Sequence, residues 1–247
     1  MSLILVTDDG PIRTVRINRP EKKNALTTPM YEALSDALEQ RRDGLRCLLI
    51  AGGESGFCAG NDIGEFLQMA QGAGALGGLT VRFLHALARC ETPMVAAVRG
   101  AAVGVGTTML LHCDHVVAAS DAKLSTPFAA LGLLPEAAST LLAPRLMGHA
   151  RAFELLVMGH PLSAEQAKAA RIVNTVVAPE QLEAAALSAA REIAALPPEG
   201  VKIARRLMRG SVDETIKRID EEVEIFGQRL ASPEAKAAFM AFLARKR

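Results

Sequence analysis

The stretch MVAAVRGAAVGVGTTMLLHCDHVVAA, residues 94–119, decides the fold class of this chain. It contains two apolar runs, 94–98 and 115–119, that are typical of short buried strands. Between them lie a glycine-rich loop at 100–106 and a predicted helix at 106–112. Parallel strands need a crossover connection of this kind. The stretch therefore predicts an α/β protein with helices outside a parallel sheet.

A second unit of the same kind lies upstream. The apolar run RCLLIA at 46–51 predicts a buried strand, and the glycine-rich loop GGESGFCAGND at 52–62 leads into a helix that begins near Asp62. In both units a glycine-rich loop follows a strand and precedes a helix. Such loops can present free backbone N–H groups to an anion or to a developing oxyanion. One such loop is weak evidence, because any parallel sheet needs glycines at its strand ends.

The start of the chain predicts a strand pair and a helix. The runs SLILVT and IRTVRIN, at 2–7 and 12–18, are separated by the turn residues Asp-Asp-Gly-Pro. A helix then begins with Thr28 as its N-cap and Pro29 at its first position, and we expect Gly44 to end it.

The last third of the chain is mostly helical in pattern. One strand-like run, IVNTVV at 172–177, interrupts it, and two consecutive prolines at 197–198 mark a boundary. We therefore divide the chain into a core at 1–196 and a helical region at 197–247. About fifty amphipathic residues can hardly form an independent core, so we expect the second region to pack on the first or on another subunit.

Composition limits the classes of partner. The chain has 247 residues, 28 basic against 27 acidic side chains, and 4% aromatic residues with no tryptophan. A net charge of +1 gives no strong field for nucleic acid or a membrane surface. Four widely spaced cysteines without a CxxC pair fit free thiols in a reducing compartment. With no signal peptide pattern and no apolar run long enough to span a bilayer, we expect a cytoplasmic protein.

Glu136 is the one ionisable residue in LSTPFAALGLLPEAASTLLAP, residues 124–144. Its sequence neighbours are aliphatic, small or hydroxyl side chains, so we expect little water and no cation beside it. Desolvation raises the pKa of a carboxylate and makes it a better base, which is common in catalytic sites. The alternative is an ordinary glutamate in the first helical turn after Pro135, where the helix dipole would lower the pKa.

The sequence does not match nucleotide-binding or metal-binding motifs well. A dinucleotide fingerprint that starts at Gly104 lacks its third glycine, because Met109 stands there, and no GK[ST] follows any glycine run. The run His112-Cys113-Asp114-His115 has metal-ligating residue types, but consecutive side chains point in different directions and no second pair is near. We predict no metal and no cofactor.

Five segments, spread over nearly the whole chain, match the sequence pattern of a known protein family. They are NRPEKKNAL (18–26), GFCAGNDI (56–63), TPMVAAVRGAAVGVGTTMLLHCD (92–114), LSTPFAALGLLPEAAST (124–140) and HPLSAEQAKAARIVNTVV (160–177). Together they resemble the crotonase (enoyl-CoA hydratase/isomerase) superfamily, and the TPF…LG…PE pattern is most similar to peroxisomal-type 3,2-enoyl-CoA isomerases. The resemblance implies a ββα spiral core, a C-terminal helical region that forms trimers or dimers of trimers, and an acyl-CoA thioester substrate bound in a bent conformation.

The resemblance also implies roles for residues. The backbone N–H groups of Asn61 and Val105 would form the oxyanion hole for the thioester oxygen, and Glu136 would be the catalytic base. The wall that holds the adenine and pantetheine parts of CoA would comprise Lys23, Asn24, Ala25, Leu26, Ala59, Asp62 and Ile63. The acyl pocket would be lined by Phe128, Leu131, Leu133 and the 66–84 region, in which the glycine- and alanine-rich stretch 71–79 suggests a linker or a lid.

Two departures from the family pattern bear on the reaction. Hydratases of the family use two glutamates, which would stand at Thr108 and Phe128 in this chain. Threonine cannot act as a general base near neutral pH, and phenylalanine excludes water. The sequence therefore favours an isomerase that moves one proton from C2 to C4 over a hydratase. A hydratase or lyase with its second group in 66–84, and a non-catalytic acyl-CoA binder, are the alternatives.

Overall fold

A six-stranded sheet forms the centre of the protein, in a computed structural model that describes residues 2–65 and 76–244. The first two strands pair antiparallel, and each later neighbour pairs parallel. The predicted α/β class with a parallel sheet is therefore confirmed. Across the sheet the strands lie in the order β1 (Ile4–Asp9), β2 (Ile12–Ile17), β3 (Cys47–Ala51), β4 (Met94–Val98), β6 (His115–Ala119) and β9 (Thr175–Val177).

A second sheet has three short strands, β5 (Ala101–Val103), β7 (Lys123–Ser125) and β8 (Leu162–Ser163). The sequence pattern predicted a loop for the first of these and no strand for the other two. Strands of two or three residues are too short to show an alternating pattern, so long-range pairing alone defines them. This sheet positions the second glycine-rich loop.

Helices cover the sheet and continue to the end of the described chain. Residues 63–65 form a helical turn where a helix was expected near Asp62, and residues 66–75 lie outside the described residues. The helices are α1 (Thr28–Glu39), α2 (Gly78–Arg89), α3 (Val105–Thr108), α4 (Ser139–Met147), α5 (His149–Leu156), α6 (Ala164–Ala169), α7 (Leu182–Ala195), α8 (Pro198–Arg209), α9 (Val212–Leu230) and α10 (Pro233–Ala244).

Several predicted boundaries were wrong by a few residues. Thr27, not Thr28, is the N-cap of α1, and the helix ends at Glu39 rather than reaching Gly44. The predicted helix at 106–112 is a four-residue α-helix followed by a 3-10 helix at Met109–His112. Helix ends depend on which backbone groups find tertiary partners, and sequence patterns do not report this.

Both faces of the central sheet are buried. In β3, Cys47, Leu49 and Ala51 pack with α7, while Leu48 and Ile50 face the main core. Burial on both faces explains why the parallel strands have near-continuous apolar sequences.

The C-terminal helices belong partly to the main core. Ile219, Phe226 and Leu230 of α9 and Phe239 of α10 are buried in the same cluster as the sheet. Helix α8 has no buried residue, but its Arg205 and Arg209 side chains donate to the carbonyl oxygen of Cys90, at the end of α2. The expected packing of this region on the main body is thus observed. The division at residues 196 and 197 and the assembly into trimers stay predictions.

Candidate active site

Glu136 lies in an irregular segment between the second sheet and α4. Its residue surface is 3% exposed, so the expected burial is observed. Helix α4 begins at Ser139, because Ala137 and Ala138 adopt left-handed backbone conformations with φ of 61° and 53°. The alternative that placed Glu136 in the first turn of a helix after Pro135 was therefore wrong.

One oxygen of the Glu136 carboxyl group has a partner and the other has none. The Thr108 hydroxyl donates to Oε1 over 2.7 Å, while Oε2 is buried without a hydrogen-bond partner among the described residues. Burial raises the pKa of Glu136 from 4.5 to about 8, the Thr108 hydrogen bond opposes that rise, and the charge of Glu222 adds to it. Oε2 is therefore free to accept a proton.

The two glycine-rich loops run side by side. Cys58 and Ala102 form a parallel bridge, and the N–H of Val103 donates to the Cys58 carbonyl over 2.8 Å. A Cβ atom at Gly106 would lie 2.6 Å from the Cys58 carbonyl oxygen, so only glycine permits this approach. The backbone at Gly104 has φ of 55°, which turns the chain from β5 into α3.

Asn61 and Val105 each follow the bridged pair by three residues, at the point where the loops end. Within the described residues, neither backbone N–H donates to a protein acceptor outside the helices. Val105 is the first residue of α3, so its N–H has no partner within the helix either. The two loops thus present two unpaired donors, the arrangement that an oxyanion hole requires.

Tyr31 connects this region to Glu136. Its hydroxyl donates to the Asn61 side-chain oxygen over 2.5 Å, and its ring packs against Phe83 with centroids 5.4 Å apart. Burial first, and then the charge of Glu136, raise the pKa of Tyr31 well above 10. Glu136 therefore lies within electrostatic range of the residue that holds the Asn61 side chain.

Phe128 packs against the second loop. A Cβ atom added at Gly104, the residue before Val105, would be 3.8 Å from the Phe128 ring. Phe128 and Leu133 are buried, and Leu131 is half-buried against the same core. The expected acyl pocket lining also included 66–84, of which 66–75, and with them most of the proposed lid, lie outside the described residues.

The predicted CoA wall consists of two paired segments. The N–H of Ala59 donates to the Lys23 carbonyl over 3.1 Å, and the N–H of Asp62 donates to the Leu26 carbonyl over 2.8 Å. Lys23 is exposed, Ala59 and Ile63 are half-buried, and Ala25 and Leu26 are buried. The Asp62 carboxylate is 2.7 Å from an Arg19 guanidinium nitrogen, so an ion pair already occupies it.

Sequence reasoning missed several residues around Glu136. Thr108 was considered only as a replaced base, although it lies three residues after Val105 and so on the same helical face. Glu222 had no sequence signal, because it is 86 positions from Glu136 and lies among other helical glutamates.

His112 was considered as a metal ligand; instead its Nε2 donates to the Ala137 carbonyl over 2.8 Å. Within the described part of the chain, no cluster of three or more His, Cys, Asp or Glu side chains is arranged for a metal ion.

Comparison with known proteins gives matches over the whole chain. The profile of the family described as enoyl-CoA hydratase/isomerase matches residues 8–247. The 1,2-epoxyphenylacetyl-CoA isomerase of Escherichia coli is 36% identical, covering 100% of this chain and 97% of its own. Enoyl-CoA delta isomerase 2 of Rattus norvegicus is 34% identical over 98% of this chain, which spans only 64% of that relative. A probable enoyl-CoA hydratase of Rhizobium meliloti is 30% identical, with 99% and 96% covered.

Solved structures agree with these relatives. Pseudomonas aeruginosa OdaA superimposes with a TM-score of 0.92 at 42% identity, covering 98% of this chain and 99% of its own. An enoyl-CoA hydratase/isomerase of Pseudoalteromonas atlantica has a TM-score of 0.92 at 40% identity, covering 99% of this chain and 98% of its own.

No helix in the described ranges combines the length and the apolar character needed to cross a bilayer. The profile match and the full-length relatives show that this chain is a member of the enoyl-CoA hydratase/isomerase family, with the crotonase fold.

Proposed function

We propose that this protein is an isomerase that converts 3-enoyl-CoA thioesters to 2-enoyl-CoA thioesters. The observation that carries the proposal is a single buried carboxyl oxygen, Oε2 of Glu136, that is free to accept a proton. It lies in the same region as two unpaired backbone donors, those of Asn61 and Val105. One base and one oxyanion hole are sufficient for a proton shift along an acyl chain.

The reaction follows from these groups. The thioester oxygen binds between the N–H groups of Asn61 and Val105, and Oε2 of Glu136 removes a proton from C2. The electron pair of the broken C–H bond moves toward the thioester oxygen, and the two donors stabilise the resulting enolate. Glu136, now neutral, returns the proton to C4, and the double bond comes to lie between C2 and C3. Atoms and electrons balance without a cofactor, since CoA is part of the substrate.

The raised pKa of Glu136 suits both proton transfers, the removal from C2 and the return to C4. A general base works best when its pKa lies near the working pH, because it must be ionised to take the proton and acidic enough to return it. Burial raises the pKa of Glu136 to about 8. The neutral acid formed in the middle of the reaction is the form that an apolar site favours.

Hydration of a double bond needs a second group that orients water, and the two family positions for such a group offer no acid or base. The two family positions for such a group hold Thr108, whose hydroxyl is bonded to Glu136, and Phe128, which is buried. The alternative location, 66–84, contains no Asp, Glu or His. Within the described part of the chain, Glu136 is the only carboxylate that has a buried oxygen without a partner. The residues therefore favour isomerisation.

The Glu136→Gln variant tests the proposal. With trans-3-hexenoyl-CoA as substrate, we expect kcat to fall by about 100- to 10,000-fold while KM stays within about twofold. In the wild type, kcat/KM should rise with pH with a midpoint near pH 8, because only the ionised base removes the C2 proton.

The exposed Glu165 supplies a matched control, since Glu165→Gln removes a carboxylate at the surface. Crotonyl-CoA, assayed in parallel, distinguishes a hydratase from an isomerase. Rapid hydration of crotonyl-CoA without isomerisation of the 3-enoyl ester would contradict the proposal. A Glu136→Gln variant with wild-type turnover would contradict the role of Glu136.

A second candidate comes from the Escherichia coli relative, which is 36% identical over the whole chain and by its name isomerises 1,2-epoxyphenylacetyl-CoA. That thioester could bind to the same two backbone donors, and its conversion likewise consumes no co-reactant. Incubating this protein with the epoxide thioester alongside the 3-enoyl ester distinguishes the two. Conversion of the epoxide with no shift of the 3-enoyl double bond would favour the second candidate.

A further inference from the structure

We propose that Glu222, on helix α9, is a positioning residue that holds Glu136 in its working orientation by binding the turn that follows it. The inference rests on the proposed function of Glu136 as the base. Glu222 is 2% exposed and reaches the turn from a helix about eighty residues farther along the chain. It does not touch the reacting groups, so its effect must pass through the backbone and through its charge.

Three hydrogen bonds join Glu222 to the turn. Its Oε2 accepts from the backbone N–H of Ala138 over 2.6 Å. Its Oε1 accepts from the backbone N–H of Thr140 over 3.1 Å and from the Thr140 hydroxyl over 2.6 Å. One carboxylate thus satisfies donors on both sides of the start of α4, a task that a local capping side chain normally performs. Here the cap residue is Ala138, whose methyl side chain cannot accept a hydrogen bond.

The turn needs such support because its backbone is unfavourable. Ala137 and Ala138 both have left-handed conformations, in which the Cβ atom of an L-residue crowds the backbone. Two consecutive residues of this kind persist only when surrounding contacts hold them. Glu222 supplies contacts on one side, and His112 supplies a hydrogen bond to the Ala137 carbonyl on the other. The direction of the Glu136 side chain depends on both.

Glu222 also acts on Glu136 through charge. Burial raises the pKa of Glu222 to about 7, against the effect of its three hydrogen bonds. When Glu222 is ionised, its charge disfavours ionisation of Glu136 and so raises the pKa of Glu136. Neutralising Glu222 should therefore lower the pKa of Glu136, and the rise of activity with pH should move to lower pH.

The other groups facing this pair do not titrate in the same range. Burial raises the pKa of Tyr31 well above 10 and that of Cys58 to about 12. Burial lowers the pKa of His112 to about 4, so this imidazole stays neutral. Arg218 of α9 donates to the Thr140 hydroxyl over 3.1 Å, and its charge acts to lower the pKa of Glu222. Of the groups named here, Glu136 and Glu222 are the two whose pKa values are raised to about 8 and about 7.

The experiment compares the pH profiles of kcat and kcat/KM for wild type, Glu222→Gln and Glu224→Gln. Glutamine keeps the shape of the side chain but replaces one acceptor oxygen by a donor and removes the charge. We expect Glu222→Gln to lower kcat about tenfold with KM within twofold, and to move the midpoint of the profile to lower pH by about half a unit or more. Glu224 is an exposed glutamate on the same helix, so its variant should match the wild type.

A fall in kcat without movement of the midpoint would indicate a merely structural role and would overturn the proposal. So would an unchanged kcat. Should Glu222→Gln not fold, Thr140→Val removes one of the three hydrogen bonds while leaving the carboxylate in place. We then expect a fall in kcat of about threefold to fivefold with KM unchanged, and wild-type kcat would overturn the proposal.

A separate measurement distinguishes failure of this inference from failure of the proposed function. The Glu136 carboxyl carbon, labelled with carbon-13 and assigned with Glu136→Gln, can be titrated by NMR without any substrate. If the wild type isomerises no enoyl ester, the proposed function fails, but a lower Glu136 midpoint in Glu222→Gln still supports the coupling. An unmoved midpoint overturns the coupling whatever the activity.

Discussion

At the residue scale, Thr108 and Glu222 act on Glu136 in opposite directions. The Thr108 hydroxyl donates to the ionised carboxylate and lowers its pKa, whereas the charge of Glu222 raises it. Burial raises the pKa of Glu136 more than the Thr108 hydrogen bond lowers it, and the resulting pKa is about 8. The surroundings of Glu136 therefore make it a stronger base than an exposed glutamate, which would be ionised but weakly basic at neutral pH.

This opposition leads to a prediction for Thr108→Val, a substitution that keeps the side-chain shape and removes the donor. Without the hydrogen bond the ionised form loses support, so the pKa of Glu136 should rise and the profile of kcat/KM should move to higher pH. At pH 7 we expect kcat/KM to fall by about fivefold or more. Steady-state kinetics from pH 6 to pH 10 measures both effects.

Thr215→Val is the matched control, because Thr215 is a buried threonine of α9 whose hydroxyl bonds within its own helix. It should leave the midpoint in place. A shift of the Thr108→Val profile to lower pH would contradict the assigned hydrogen bond.

At the element scale, the site depends on how closely the two glycine-rich loops approach each other. The contact of Gly106 with the Cys58 carbonyl brings the start of α3 next to the segment that ends at Asn61. The two donors of the proposed oxyanion hole belong to different loops, so their separation is set by this contact rather than by either loop alone.

Gly106→Ala should therefore impair catalysis more than binding. The added methyl group would lie 2.6 Å from the Cys58 carbonyl oxygen and must push the loops apart. Loss of one oxyanion donor typically costs about 3 kcal/mol, so we expect kcat to fall by about 100-fold. Gly200→Ala in α8 is the control, since a Cβ atom there has nothing within 4 Å. A kcat within twofold of wild type would show that the loop contact does not define the hole.

At the scale of the whole molecule, helices α9 and α10 share one core with the sheet. Leu230 of α9 is completely buried in the cluster that includes the central strands, and Glu222 of the same helix holds the turn after Glu136. Loosening α9 should therefore affect stability and activity together.

Leu230→Ala should destabilise the protein by about 2–5 kcal/mol, because it leaves a cavity in this shared core. Urea unfolding followed by circular dichroism, at one fixed protein concentration, measures the change. We expect a single transition in which helix and sheet signals are lost together. Met158→Ala, at a side chain that is about half exposed, should change stability by less than about 0.5 kcal/mol. A separate early transition of helical signal alone would show that α9 and α10 unfold independently.

Local patterns in the chain were enough to predict the fold class and the burial of Glu136. The apolar runs at 94–98 and 115–119 and the glycines between them indicate a parallel unit, because both faces of its strands must be buried. The isolation of Glu136 among apolar residues indicated burial and a raised pKa for the same reason. Short strands and helix ends could not be predicted, since β5, β7 and β8 exist only through pairing with distant segments.

The sequence by itself determined which residues are apolar, where glycine permits the backbone to turn, and that one carboxylate has no charged neighbour along the chain. Only the tertiary structure decided what surrounds that carboxylate in space. Thr108, Tyr31 and Glu222 come from three different helices. Thr108 bonds to Glu136 and Glu222 bonds to the turn after it, while Tyr31 interacts with Glu136 only through charge. Hydrogen bonds and charge interactions act over a few ångströms in space, whereas spacing along the chain reports only neighbours on the same element. For this reason the sequence was enough to predict the buried carboxylate but not the groups that surround it and shift its pKa.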